Sequence, residues 1–259
     1  MLKALIFDVD GTLADTERQG HRIAFNRAFA EAGLGWVWDE ALYGELLEVT
    51  GGKERMRHFI NRHHPEVPAD ADPLNAFIEN LQAIKTRHYT ALVESGDIPA
   101  RPGVIRLMRE AMEAGLRLAI ATTTTPENVY ALLSASFAKD APDWFEVIGA
   151  GDIVPKKKPA PDIYTYVLER MQLEPDECLA FEDSENGLRA SLGAGIPTLV
   201  SVNGYTADQD FTGALVVTDH LGEPEQPLTC LSDPPWESFS LVDVDALRRL
   251  HDRWTGARR

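Results

Sequence analysis

Five short apolar runs, each closed by polar residues, limit what this chain can fold into: residues 3–8 (KALIFD), 116–122 (LRLAIAT), 144–149 (WFEVIG), 178–183 (CLAFED) and 197–202 (PTLVSV). Continuous rather than alternating runs of this length suit strands covered on both faces of a parallel sheet. Amphipathic segments lie between them. Val104, Ile105, Met108, Ala111 and Met112 share one helical face that ends at Gly115, and Val129, Leu132 and Leu133 share another. Strand alternating with helix predicts an α/β fold built on a doubly wound, Rossmann-like parallel sheet.

Residues 17–95 break the alternation. They hold no convincing strand but several helical patterns, among them Phe25 with Phe29, and Leu74, Phe77, Ile78, Leu81 and Ile84. The expected organisation is therefore a core formed by residues 1–16 and 96–259, with an all-helical cap domain at 17–95. Two crossings near 15–17 and 94–100 join them. Residues 222–238 are rich in Pro, Glu and Ser and read as loop, and Val242 to Trp254 read as a closing helix with Leu247 and Leu250 inward.

Composition narrows the function. With 25 Lys and Arg against 41 Asp and Glu, the 259-residue chain carries a formal charge of -16. Such a field repels nucleic acid and anionic membranes. The N-terminal stretch lacks a signal-peptide pattern, and no run reaches the roughly 18 apolar residues of a membrane span. Cys178 and Cys230 support no disulfide framework, so a cytoplasmic, monomeric protein with a small-molecule partner is expected.

In open α/β sheets ligands bind beyond the carboxyl ends of the strands. Those ends are polar here: Asp8-Val9-Asp10-Gly11-Thr12, Thr122 to Thr125, and Glu182-Asp183-Ser184, with Lys156-Lys157-Lys158-Pro159 between the last two. Asp8, Asp10, Glu182 and Asp183 gathered at one sheet edge would repel one another unless a cation neutralised them. An oxygen-liganded Mg²⁺ ion suits that set, and a nearby lysine would offset the remaining charge. Taken singly each piece has an ordinary explanation: a turn, a helix cap, a strand end, a surface lysine. Their joint occurrence at successive strand ends points to phosphoryl chemistry.

The set resembles the haloacid-dehalogenase superfamily of phosphatases. Asp8-Val9-Asp10-Gly11-Thr12-Leu13 matches the first signature and Thr122 the second. Lys158 in Lys-Lys-Pro-Ala-Pro-Asp matches the third, and Glu182-Asp183-Ser184 with Gly187 the fourth. The likeness spans about residues 1–203. It implies that Asp8 is the nucleophile that forms an aspartyl phosphate, and that Asp10 is the general acid and base. Thr122 and Lys158 would hold the transferring oxygens. Mg²⁺ would sit on the Asp8 carboxylate, the Asp10 carbonyl and Asp183, with Glu182 direct or through water. The acid two residues after the nucleophile sets the chain apart from dehalogenases of this fold.

Substrate choice in this family falls to the cap. Thr50-Gly51-Gly52-Lys53-Glu54-Arg55 offers close-approaching amides, a helix N-terminus and two cations for an anion, although a helix-entry loop with solvated basic residues would read the same way. With Glu17, His21, Lys85 and Thr123 it resembles the CbbY-type subgroup. That likeness implies xylulose-1,5-bisphosphate, an inhibitor of the Calvin-cycle enzyme Rubisco, as substrate. Arg18, Gln19 and Gly20 separate Glu17 from His21, one residue more than relatives usually place there, so His21 is either turned away or Gly20 absorbs the excess. A β-phosphoglucomutase-like mutase and a broad-range sugar-phosphate phosphatase share these core residues and remain open, as does a sugar-phosphate-binding regulator without turnover.

Overall fold

The computed structural model describes residues 1–68, 73–232 and 239–257. Six parallel strands form one sheet in the order β3-β2-β1-β4-β5-β6. They are β1 (Ala4–Phe7), β2 (Arg117–Ala121), β3 (Val147–Gly149), β4 (Cys178–Glu182), β5 (Thr198–Ser201) and β6 (Val216–Thr218). The chain runs outward from β1 through β2 to β3, then returns to the other side of β1 for β4, β5 and β6. The carboxyl ends of β1, β2 and β4 therefore meet at the point where the strand order reverses.

The two faces of the sheet differ in size. Leu5, Phe7, Leu118, Ile120, Leu179 and Phe181 project to one side, where α5 (Val104–Glu113), α6 (Pro126–Ser136) and α9 (Val244–Gly256) cover them. Phe7 and Phe181 stack there at 4.5 Å between ring centroids. Ala4, Ala119, Ala121, Cys178 and Ala180 project to the other side, against Ile163, Tyr164 and Val167 of α7 (Asp162–Met171). Small side chains on that face let α7 lie close to the sheet. α8 (Glu185–Gly193) follows β4 directly.

Between β1 and α5 come α1 (Arg22–Glu31), α2 (Glu40–Leu46), α3 (Gly52–His63) and α4 (Leu74–Glu94). This insert has its own aromatic core of Phe25, Phe29, Trp36, Trp38, Tyr43 and Phe59, with Ile78 and Leu81 from α4. Asn26 fastens the α1–α2 connection by bonding both the amide and the carbonyl of Trp38 at 2.8 Å. No helix among the described residues is long and apolar enough to cross a membrane.

Three expectations change in detail. The run at 144–149 is a strand only from Val147, because Trp144 closes a 3₁₀ turn over Ala141–Trp144 that has Pro142 near its start. β6 escaped the sequence reading, since a three-residue edge strand leaves too short a run to stand out. On α4 the inward position falls to Lys85, while Ile84 is only half-buried. The loop expected over 222–238 lies outside the described residues at 233–238. Leu247 and Leu250 are buried as expected, and Cys178 and Cys230 are both free thiols.

The two crossings of the insert run side by side, bridged at Ala14 and Ala100, with the Arg101 amide donating to Leu13 at 2.8 Å. The Arg101 guanidinium donates to the carbonyls of Gly11, Ser201, Val202 and Asp219. It ties the loop after β1 to the ends of β5 and β6. Replacement by an apolar side chain would leave those carbonyls without their donor. Arg101→Met is expected to cost about 3–5 kcal/mol and lower the thermal midpoint by roughly 6–15 °C. The exposed Arg27→Met should change it by about 1 °C, and equal midpoints for the two variants would contradict the clamp.

Candidate active site

Asp8 continues β1 by one residue, its amide bonded to Phe181 of β4 at 3.0 Å. Glu182 and Asp183 close β4, and Ser184 caps α8 by accepting from the Gly187 amide at 3.2 Å. Lys158 reaches in from the loop before α7. Its Nζ lies 2.6 Å from both Asp8 Oδ1 and Glu182 Oε1, and all three groups are buried. Asn203, just past β5, donates to Asp183 Oδ2 at 2.7 Å. Thr122 follows β2, buried, its amide bonded to Gly149 at 2.9 Å.

Asp10 faces the insert. Thr16 Oγ1 and His21 Nε2 both donate to its Oδ1, at 2.6 and 2.7 Å. Lys85 Nζ lies 2.6 Å from His21 Nδ1. A lysine ammonium can only donate, so Nδ1 accepts and Nε2 carries the proton toward Asp10. The His21 ring also stacks on Tyr89 at 4.2 Å. His21 is thus turned toward the site, and the extra residue before it is absorbed by a π-helical turn at Glu17–His21 that leads into α1. Gly20 contributes in another way: a Cβ there would come within 2.9 Å of Ile98 and 3.0 Å of Tyr89.

Tyr43 donates to Glu17, and Arg55 donates to the Tyr43 hydroxyl at 3.0 Å and to the Leu46 carbonyl at 3.2 Å. A cavity of about 370 Å³ brings Asp8, Asp10, Thr122, Thr123, Lys158, Glu182 and Asp183 together with Glu17, Thr50 and Arg55. An adjoining cavity of about 110 Å³ takes in His21, Gly51, Gly52, Lys53 and Lys85. Lys53 is engaged elsewhere. Its Nζ lies 2.5 Å from Asp152 Oδ2, and Lys157 holds the other oxygen of that carboxylate at 2.8 Å. Thr50 Oγ1 accepts from Asn186 at 3.3 Å.

Tyr43, Tyr164 and Asn203 were not singled out from the sequence. The tyrosines lie within helices, Tyr43 in α2 and Tyr164 in α7, and no sequence motif marks them. Asn203 is the residue that follows the fifth predicted strand, so inspection of strand ends carried one position further would have found it.

The two aspartates of the β1 loop differ electrostatically. Burial, with Glu182 and Asp10 nearby, pushes Asp8 up to about 8 in spite of Lys158. Burial beside Asp8 and Glu182 raises Asp183 strongly as well. Burial also opposes ionisation of Asp10, but His21, Thr16 and Lys85 outweigh it and hold the carboxyl at about 2. Burial lowers Lys85 to about 8 against the pull of Asp10 and Glu17. Lys158 stays protonated because Asp8 and Glu182 more than offset its own burial.

Asp8, Glu182 and Asp183 each offer an oxygen within 4.8 Å of the others. Glu182 Oε2 is buried without a hydrogen-bond partner. Three carboxylates around one ammonium lack positive charge, and a divalent cation on these oxygens would supply it. The linkage sign follows from the raised Asp8 and Asp183. Between about pH 4 and 8 the folded chain holds protons that the unfolded chain has released, so stability falls as pH rises. In chelator the thermal midpoint is expected to drop from pH 5 to pH 8, and a divalent cation should restore it at pH 8. A midpoint in chelator that does not respond to pH would contradict this charge balance.

The haloacid dehalogenase-like hydrolase family model matches residues 2–195. Protein CbbY of Cupriavidus necator is 51% identical over 250 residues, covering 96% of this chain and 97% of its own length. The CBBY-like protein of Arabidopsis thaliana is 41% identical over 95% of this chain and 74% of its own. A crystal structure of a CbbY mutant from Rhodobacter sphaeroides in complex with xylulose-1,5-bisphosphate superposes with a TM-score of 0.80 at 44% identity, over 85% of this chain and 95% of that one. A β-phosphoglucomutase from Clostridium difficile shares the fold, with a TM-score of 0.74 at 17% identity over 99% of this chain and all of its own. With three strand-end motifs and Lys158 converging on one carboxylate-lined cavity and these relatives along most of its length, the chain belongs to the haloacid dehalogenase-like hydrolases, as a phosphatase related to the CbbY proteins.

Proposed function

We propose that the protein is a Mg²⁺-dependent sugar-bisphosphate phosphatase that works through an aspartyl phosphate on Asp8, with xylulose-1,5-bisphosphate as its substrate. The observation that carries this reading is the pair of carboxylates on one loop. Asp8 is paired with Lys158 of the core and Asp10 with His21 of the insert, and Arg55 faces the same cavity. In this reading residues 17–95 are a cap over a core of 1–16 and 96–259. The enzyme would act in the cytosol to remove an inhibitor of Rubisco.

Asp8 attacks phosphorus, and the bond from phosphorus to the sugar oxygen breaks as the acyl phosphate forms. Asp10 is ionised in the free site; the anionic phosphoryl group bound beside it raises its proton affinity, so that it takes up a proton from solvent and gives it to the departing oxygen. It then takes one from the water that hydrolyses the acyl phosphate, which regenerates Asp8 and releases inorganic phosphate. Both donors to Asp10 bond its Oδ1, so Oδ2 is the oxygen left for these transfers. Lys158 and Thr122 hold the transferring oxygens.

The all-oxygen donor set and the unpaired Glu182 Oε2 fit Mg²⁺. Asp8, Asp183 and the Asp10 carbonyl would hold it, with Glu182 direct or through water. When bound, the ion supplies charge stabilisation to the transferring phosphoryl group. Arg55, the α3 N-terminus at Gly51-Gly52 and Lys85 are assigned to the distal phosphate, and Glu17 to a sugar hydroxyl. Lys53 joins them only after leaving Asp152.

The test is phosphate release from a panel of sugar mono- and bisphosphates, with and without Mg²⁺. Xylulose-1,5-bisphosphate should be the preferred substrate, and release should stop in chelator and in Asp8→Asn. Flat, slow release from many monophosphates would refute the substrate assignment, and isomerised glucose-1-phosphate without phosphate release would make the protein a mutase. Arg55→Ala is expected to raise KM for the bisphosphate by about tenfold or more while monophosphates change little. Equal loss for both would remove Arg55 from the distal end.

A further inference from the structure

Lys158 must point at Asp8 for the proposed chemistry, yet a second carboxylate competes for the same ammonium. Glu182 is fully buried, and its Oε1 lies as close to Lys158 Nζ as Asp8 Oδ1 does, at 2.6 Å. What keeps the lysine shared between them lies on α7. Tyr164, fully buried in the first turn of that helix, donates its hydroxyl to the same Glu182 Oε1. Its ring lies beneath the ammonium, 5.1 Å from Nζ to the centroid.

Glu182 is confined from the other side as well. A Cβ at Gly187 would fall 1.8 Å from Glu182 Oε2, so the carboxylate occupies the space that any other residue there would fill. Glu182 is thus held between the Tyr164 hydroxyl and Lys158 on Oε1 and the Gly187 backbone beside Oε2. The sequence places Tyr164 two residues after the start of α7, where the small-residue face of the sheet lets the helix approach within reach of β4. The oxygen that would draw the lysine away from Asp8 is therefore occupied by a second donor.

We propose that Tyr164 is a positioning residue for the phosphatase reaction: its hydroxyl satisfies part of Glu182 and its ring supports the ammonium, so that Lys158 stays directed at Asp8 and the transferring phosphoryl group. Without the hydroxyl, Glu182 Oε1 depends on Lys158 alone, and the ammonium shifts from Asp8 toward Glu182. The effect falls on the reacting centre rather than on recognition of the sugar or the distal phosphate. This inference rests on the role proposed for Lys158.

Tyr164→Phe tests it, because the ring and its packing remain and only the hydroxyl is lost. With the preferred sugar phosphate as substrate, kcat is expected to fall about tenfold while KM stays within about twofold of wild type. The thermal midpoint should stay within a few degrees. Tyr166→Phe, on the same helix but away from Glu182, should leave both constants unchanged. A kcat within about twofold of wild type in Tyr164→Phe would overturn the inference, as would a loss matched by Tyr166→Phe or by a large drop in midpoint. Wild-type protein that released no phosphate from any sugar phosphate would instead overturn the proposed function.

Discussion

The site depends on one buried ammonium. Lys158 arrives between β3 and α7 and meets Asp8 of β1 and Glu182 of β4 at equal distance, so a single positive charge joins two neighbouring strand ends. Desolvated ion pairs of this kind survive only with close geometry and further hydrogen bonds. Here those come from Tyr164 on Glu182 and Asn203 on Asp183. The sheet makes the meeting possible, since the strand order reverses at β1 and brings the β1 and β4 ends side by side. Even so the balance stays negative, with Asp8 and Asp183 both raised. That imbalance is the physical case for a divalent cation.

The second aspartate is controlled from the opposite direction. Asp10 lies two residues from Asp8 but answers to the insert, through His21 and, behind it, Lys85, with Thr16 at the crossing adding a bond of its own. One loop thus carries a carboxyl that holds its proton to about pH 8 and another that gives it up near 2. The proposed reaction needs the opposite order, an ionised Asp8 and a protonated Asp10, so a cation on Asp8 would have to release its proton and the anionic phosphoryl group would have to return one to Asp10. The π-helical turn at Glu17–His21 and the close packing of Gly20 on Tyr89 aim the histidine, so the proposed acid–base chemistry depends on how the insert enters.

Much of this was legible in the sequence because strand ends and ligand sites coincide in open α/β sheets. The run ending in Asp8, the threonines after β2 and the pair closing β4 all stand where the strand pattern placed them. Other features were less legible, for identifiable reasons. Pro142 turned the start of the third run into a 3₁₀ turn, and β6 was too short to carry a pattern. The extra residue before His21 looked like a register fault, because a sequence does not distinguish a π turn from a shifted α-helix. Tyr43 and Tyr164 carry no sequence signal of a site role, because their rings are buried and only their hydroxyls reach the site. Lys53 read as a cation free for substrate because Asp152, its partner, lies 99 residues away.

The central claim is that Asp8 carries the phosphoryl group between substrate and water. It is tested most directly by acid-quenching the enzyme during turnover of xylulose-1,5-bisphosphate with Mg²⁺ and mapping the mass of its peptides. The account predicts one phosphoryl group on the peptide that contains Asp8, accumulating further in Asp10→Ala, where hydrolysis of the acyl phosphate lacks its base. Steady turnover with no phosphoryl group on that peptide in either protein would contradict it, because the substrate would then be hydrolysed by direct attack of water.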